Sequence, residues 1–301
     1  MQLPNPVRRV IEERADEIGF SALARAADEL SAAYRESRKP RLTDNERIAA
    51  YLVTRMPATY AAVHKVLFEL HDLPIATVLD VGAGTGAASL AARQYFPQAE
   101  ITMVERDSAM ADSARLFFPG GVGLLACPAR EARLPGHDLV IASYSVGEMG
   151  ASVWKRLWEA ARVALIVIEP GTPRGFDLIR TIRTGLIDAG AHIIAPCPGA
   201  MPCPIVTPDW CHFAARVERS SLHRRIKHGE LGYEDEKFSY IAAARQTVTP
   251  TPARIIRHPQ IQPGLIVLET CTTSGLRTER VTKRDRDAFR KARRAVWGGT
   301  V

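Results

Sequence analysis

A chain of 301 residues, 46% hydrophobic and 24% charged, can bury a full core and reads as one large domain with an appendage, or two. Its net charge of +7 is unevenly placed: residues 211–301 hold 18 Lys and Arg against 9 Asp and Glu, and the first 210 hold 22 against 24. That distribution excludes a uniformly basic protein and points to a polyanion partner for the last third, while the absence of any run of about 18 apolar residues excludes a membrane-spanning segment.

The first 19 residues contain acidic side chains and no apolar core of a leader, so neither a secretory signal nor a transit peptide is expected. Residues 1 to about 72 read as helical. Asn5-Pro6 supplies an N-cap and a Pro at N1 before Val7, Val10, Ile11 and Ala15 at helical spacing. Ser21 opens an Ala-rich run to about Ser37, and Lys39-Pro40 stops it. Thr43 and Glu46 form a capping box ahead of Ile48, Tyr51 and Leu52, and Pro57 begins a fourth helix through Val63, Val66, Leu67 and Leu70. Their apolar stripes read as core.

Thr77–Val81 is a short strand-type run that enters Gly82-Ala83-Gly84-Thr85-Gly86 and then a helix, Ala87 to Tyr95. Gly82 and Gly84 allow a sharp turn and close approach to a ligand, and Gly86 lets the helix start sit against the strand. A second strand, Ile101–Val104, ends at Glu105, about 20 residues on, where an acidic side chain suits ribose hydroxyls. The set D-x-G-x-G-x-G followed by VERD, over Val78 to Glu169, resembles the class I S-adenosylmethionine-dependent methyltransferases. That resemblance implies an α/β, Rossmann-like fold, with Asp80, Gly82, Gly84 and Gly86 around the methionine part of the cofactor and Glu105 on its ribose. Strands at Gly123–Ala126, Asp138–Ser143 and Val163–Glu169, with helices between, fit the alternating pattern.

Methyltransferases acting on base amino groups place an Asn/Asp-Pro-Pro-aromatic run after the fourth strand; here that position reads Ser143-Tyr144-Ser145-Val146-Gly147-Glu148. The catalytic candidates are Tyr144, to stack, and Glu148, as acceptor or base, with cofactor packing and helix capping as their plainer roles. Cys127 precedes a Pro at the wrong strand end for a pyrimidine nucleophile. The pattern supports cofactor binding better than catalysis.

Ala195–Phe213 places Cys197, Cys203 and Cys211 among five prolines, a composition that forbids helix and disfavours strand. Cys271 follows 60 residues later. Five cysteines without an export signal suit a reducing compartment where thiols bind metals. The spacings are wider than the usual zinc pairs. A four-thiolate iron–sulfur shell, zinc, and unliganded buried thiols all remain open, with His212, His223 and His228 as substitute ligands.

After the loop, His212–Val217 reads as a strand and Ser220–His228 as a short basic helix with Arg224, Arg225 and Lys227; Tyr233–Tyr240 leads into a strand, Ile241–Arg245. APCPxxxxCP, WCHF, YEDEKFSYIAAAR, a Cys-Thr strand and a terminal TKRDxxxFRKARRAxWG, with RMPATYAA at Arg55–Ala62, resemble the Rsm-type small-ribosomal-subunit family. This group includes mitochondrial methyltransferase-like protein seventeen and its bacterial relatives. The resemblance implies a [4Fe–4S] cluster on Cys197, Cys203, Cys211 and Cys271 and a role in maturing the small subunit by binding its rRNA. Cys127 lies outside the pattern and is expected as a buried free thiol.

From about Thr249, turn signals such as Pro250 and Pro263-Gly264 separate strands at Arg254–Arg257 and Leu265–Thr270, a small β extension. Lys283–Trp297 reads as a helix with Phe289, Ala292 and Val296 toward protein. Lys283, Arg284, Arg286, Arg290, Lys291, Arg293 and Arg294 are left to neutralise rRNA phosphates. The expected organisation is a helical region (1–72), a methyltransferase-like domain (73–247) and a basic extension (248–301). The leading functional expectation is an rRNA-binding assembly factor that keeps S-adenosylmethionine binding; an active rRNA methyltransferase and a cluster-based redox sensor are the alternatives. The chain is expected monomeric when free and cytoplasmic, or in the mitochondrial matrix if organellar.

Overall fold

A computed structural model describes every residue except 37, 39, 130–132, 228, 250 and 301, so the expectations at Ser37, Lys39, His228 and Pro250 lie outside the described residues. Four helices come first: α1 (Asn5–Ile18), α2 (Phe20–Arg35), α3 (Asp44–Thr54) and α4 (Met56–Leu67). The helical stripe of α1 is buried at Val7, Ile11 and Ala15, and that of α2 at Leu23, Ala26, Ala27 and Leu30. Asn5 is not an N-cap, since α1 starts on it after Pro4 with no side-chain cap. The Thr43–Glu46 capping box is present in both directions, Glu46 N–H to Thr43 Oγ1 and Thr43 N–H to Glu46 Oε2.

The main sheet follows as β1 (Thr77–Val81), α5 (Ala87–Tyr95), β2 (Glu100–Val104), α6 (Ser108–Arg115), β3 (Gly123–Leu125) and β4 (His137–Ser143). It continues with α7 (Val146–Met149), α8 (Trp154–Ala160), β5 (Ala161–Pro170), α9 (Pro173–Asp188), β6 (His192–Ala195), β7 (Phe213–Glu218), α10 (Ser221–Ile226) and β8 (Tyr233–Ala244). Strand order is β3-β2-β1-β4-β5-β8-β6, with β7 also on β8. The first five strands run parallel, and β8 runs against β5, β6 and β7. This is a doubly wound, Rossmann-like sheet, the α/β fold that the class I methyltransferase resemblance implied.

Both faces are covered, which is why the parallel strands read as unbroken apolar runs. Alternate residues of β5 divide between the layers: Ala164, Ile166 and Ile168 join the core beneath α1–α5, whereas Leu165 and Val167 join Leu157, Ile179, Ile182 and Leu186 of α8 and α9. The N-terminal helices therefore share one hydrophobic core with the sheet. Strand β8 is longer than the sequence suggested. Its charged half, Tyr233–Lys237, pairs only with β7 in a solvent-facing hairpin, and its apolar half enters the sheet between β5 and β6.

A second sheet holds β9 (Ala253–Ile255), β10 (Gln260–Gln262), β11 (Leu265–Thr272) and β12 (Gly275–Thr282), in order β10-β11-β12 with β9 also on β11. Strand β12 is an exposed edge whose Leu276-Arg277-Thr278-Glu279-Arg280 lacks the alternation that would have announced it. Helix α11 (Arg286–Ala292) is shorter than expected, and Val296 is 62% exposed rather than facing protein. Ala292, with Phe289, packs on Ile266 and Leu268 of β11.

Candidate cofactor loop and cysteine cavity

Gly82, Gly84 and Gly86 all hold positive φ, +75°, +55° and +81°, between β1 and α5. A Cβ on Gly82 would come within 2.5 Å of Ser145 Cβ, whereas one on Gly84 would meet nothing within 4 Å. The loop is thus closed on the side of the turn after β4 and open at Gly84. Gly84 N–H donates to Glu105 Oε2 (2.8 Å), and Asp107 N–H donates to Glu105 Oε1 (2.9 Å), so this carboxylate links the turns that follow β1 and β2. Asp80 is fully buried below the loop, where Oδ2 accepts from Ser89 N–H (3.0 Å) and Ser89 Oγ (2.8 Å) and so caps α5. Burial pushes its carboxyl up to about 7, against the pull of the Ser89 bonds. Asp80 Oδ1 and Thr85 Oγ1 are buried without a partner among the described residues. An open glycine cradle beside two orphaned polar atoms fits a polar ligand at this helix start.

Gly82→Ala is expected to cost about 1–3 kcal/mol of stability in urea denaturation, from overpacking on Ser145 at a left-handed backbone. Gly84→Ala, equally left-handed but unobstructed, should cost only the backbone strain, about 1 kcal/mol.

Tyr144 is the one non-glycine residue with positive φ (+55°) among the described residues. Its Oη donates to Glu236 Oε1 (2.9 Å), and Arg55 Nη2 lies 3.5 Å from the same oxygen. Tyr144 is therefore anchored within the protein. Glu148 is exposed and lies 3.4 Å from Arg106. Sequence reasoning missed Glu169, the buried residue near the end of β5, whose Oε1 accepts from Gly147 N–H (3.1 Å) and whose carboxyl burial raises to about 7. Its signal was an acidic residue closing the apolar run Val163–Ile168. Arg55 and Glu236 gave no comparable signal.

Cys197 and Cys203 lie on the β6–β7 connection, Cys211 just before β7, and Cys271 on β11 of the other sheet; all four line a single cavity. None is bridged, and neither is Cys127, which is half-buried against the second core layer. Two buried arginines shape the loop. Arg183 Nε donates to Cys197 Sγ (3.2 Å), and its Nη2 donates to the carbonyls of Gly199 (2.8 Å) and Met201 (2.7 Å). Arg254 Nε donates to Pro196 O (3.1 Å), Trp210 Nε1 to Gly171 O (2.9 Å) and Ser239 Oγ to Cys211 O (2.8 Å).

Burial raises the thiols of Cys197 and Cys211, and that of Cys271 to about 11, with neighbouring sulfurs adding to each. Among the described residues, no three His, Cys, Asp or Glu side chains are grouped to hold one metal ion. His212 stacks on Trp210 and bonds its carbonyl, and His223 is buried beside Glu234, so neither lines the cavity.

A family model described as "Mitochondrial small ribosomal subunit Rsm22" matches residues 45–301. The chain belongs to the Rsm22 family. Relatives include Rsm22-cox11 tandem protein 2, mitochondrial, of Schizosaccharomyces pombe, 28% identical over 89% of this chain and 45% of that protein. Ribosome assembly protein METTL17, mitochondrial, of Homo sapiens is 26% identical over 82% of this chain and 61% of that protein. The Rsm22-family chain thus spans about half the length of the yeast relatives it matches. Solved structures similar to it include magnesium protoporphyrin IX methyltransferase from Synechocystis PCC 6803 (TM-score 0.41, 16% identity, 70% of this chain and 88% of that one). Another is the plantazolicin methyltransferase BpumL (TM-score 0.46, 10% identity, 79% and 100%).

The cations expected to meet RNA fall into two groups in this Rsm22-family chain. Arg224 and Arg225 are exposed on α10, which packs on α2 and α3, with Arg225 over the Phe20 ring at 4.4 Å. Lys227 is half-buried and donates to Ser31 Oγ (2.6 Å), which ties it to α2. Lys283, Arg284, Arg286, Arg290, Lys291, Arg293 and Arg294 are all exposed on or beside α11, which packs on β11 and β12; Arg290 pairs with Asp287 at 2.8 Å. No helix among the described residues is long and apolar enough to cross a membrane.

Proposed function

We propose that this chain is a small-ribosomal-subunit assembly factor. It binds rRNA through its basic C-terminal third, S-adenosylmethionine at the Gly82–Gly86 loop, and an iron–sulfur cluster on Cys197, Cys203, Cys211 and Cys271. Family membership and the relative named as a ribosome assembly protein support the first part. The observation that carries the reading is the sheet that joins both ends of it: β11 brings Cys271 to the cysteine cavity and also supports the helix with the exposed cations. Four thiols lining one cavity match in number the four-thiolate shell of an iron–sulfur cluster. Glu105 and the orphaned Asp80 and Thr85 atoms support a nucleoside cofactor. The relatives' mitochondrial names support the organellar location rather than a bacterial-type cytoplasm.

Filter binding to small-subunit rRNA tests the RNA part. Replacing Lys283, Arg284, Arg286, Arg290, Lys291, Arg293 and Arg294 by Gln is expected to weaken binding. The slope of log K against log salt should flatten by about 0.7–0.9 for each phosphate that is no longer neutralised. Unchanged affinity and slope would reject α11 as the RNA-binding element. For the cluster, anaerobically purified protein is expected to hold about four iron atoms per chain and to lose them in Cys271→Ser. Zinc in their place would reject it.

The methyltransferase alternative draws on one observation: Glu169, with a carboxyl raised to about 7, stands near the C-terminal end of β5 beside the turn after β4, a suitable value for proton transfer. Radiolabelled methyl incorporation into small subunits made without the protein decides it; no incorporation leaves the assembly role alone.

A further inference from the structure

Arg183 and Arg254 are both nearly solvent-free, at 5% and 1% exposure, yet their charges are treated differently. Arg254 has a carboxylate partner, Glu69, at 2.6 Å. Arg183, on α9, reaches only a sulfur and two main-chain carbonyls, and no carboxylate pairs with it among the described residues. A buried guanidinium without a counter-ion is costly, and fixed dipoles offset only part of that cost. The missing negative charge has one evident place. Arg183 lines the cavity with all four cysteines and points Nε at Cys197, and the remaining lining is mostly apolar, including Phe176, Ile205 and Ile256. In such a low-dielectric setting the interaction with an anionic group is strengthened.

We infer that Arg183 is the counter-charge and positioning residue for a net-negative, thiolate-held group in this cavity. Its charge stabilises that group's more reduced, more negative state, and its forked donors hold the Gly199–Met201 turn so that Cys197 faces inward. A cluster held by four thiolates carries net negative charge and gains one more on accepting an electron. A fixed cation beside a ligating sulfur therefore raises its reduction potential. The inference rests on the cluster reading above, and two variants separate charge from geometry: Arg183→Gln keeps donors and removes the charge, while Arg183→Lys keeps the charge and loses the fork.

The test uses full-length protein purified anaerobically, with iron per chain, a dithionite titration followed by visible absorption and electron paramagnetic resonance, and the rate of iron loss to a chelator. Arg183→Gln is expected to titrate at a more negative potential than the native chain, and Arg183→Lys near the native potential but with faster iron loss. A native potential in Arg183→Gln, or an equal shift in Arg183→Lys, overturns the counter-charge role. Should Arg183→Gln fail to fold, a native rate of iron loss in Arg183→Lys overturns the positioning role. A native chain without iron sinks the cluster reading itself, whereas iron with unshifted variants sinks only the part given to Arg183.

Discussion

Arg254→Met is expected to destabilise the protein by about 3–5 kcal/mol, the cost of stripping one partner from a buried ion pair. Arg254 lies on β9 with its guanidinium shared among three parts of the chain. Nη1 and Nη2 meet Glu69 Oε1 (2.6 Å) and Oε2 (3.1 Å) after α4, Nε meets Pro196 O (3.1 Å) at the start of the cysteine loop, and Nη1 meets Gly298 O (2.9 Å) beyond α11. Methionine fills much of the volume but donates nothing, so a carboxylate and two carbonyls lose their partner together. Urea denaturation measures the loss. Adding Glu69→Leu to Arg254→Met should recover a substantial part, because replacing both members of a buried pair costs less than orphaning one. A single-variant loss under about 1 kcal/mol would show that water replaces the guanidinium without strain.

Native stability is expected to fall as pH rises from 4 to 7, and Asp80→Asn is expected to flatten that fall. The carboxyl of Asp80 is raised from its ordinary 3.8 to about 7, with burial as the first cause. Between those values the folded chain holds a proton that the unfolded chain has released. Its contribution is therefore complete below the lower value and is lost as pH climbs through the upper one, by up to about 1.4 kcal/mol per unit. Asparagine keeps an oxygen to accept from Ser89 N–H and Oγ but carries no charge, so the cap on α5 survives. Urea midpoints at intervals from pH 5 to 8 measure the slope. Glu169, also raised to about 7, titrates in the same window, and Glu169→Gln should flatten the slope left in Asp80→Asn, while His64, His212 and His223, lowered by burial, pull the slope the other way in every variant. A variant as steep as the native chain would clear Asp80 of the effect.

What could be read in the chain was what neighbouring residues decide. The glycine loop between β1 and α5, the Thr43–Glu46 box and the apolar strands at 77–81 and 138–143 are local, and each appeared within a residue or two of its expected place. The exposed edge strand β12 was invisible because none of its residues is fully buried and only Val281 reaches the small core under α11. Strand β8 looked broken because its first half pairs with β7 alone, is solvent-facing and is charged for that reason. Arg183 and Arg254 escaped notice because a charged side chain in a helix or strand looks solvated until the fold closes over it. Lys227, expected on a nucleic acid, is half-buried and donates to Ser31 Oγ, a contact no local pattern announced. The meeting of Cys271 with the three loop cysteines came only from the family resemblance; spacing alone left zinc and idle thiols open.

The reversed strand β8 sets an order of events. Both sheet neighbours flanking it, β5 and β6, precede it in the chain, and β6 pairs with nothing else among the described residues. Some forty residues, with three cysteines among them, separate β6 from the part of β8 that pairs with it. Ser239, Tyr240 and Ile241 of β8 then supply one wall of the cavity, and β11 adds the fourth sulfur later still. The cavity therefore cannot be walled on all sides until β11, near the end of the chain, has taken its place.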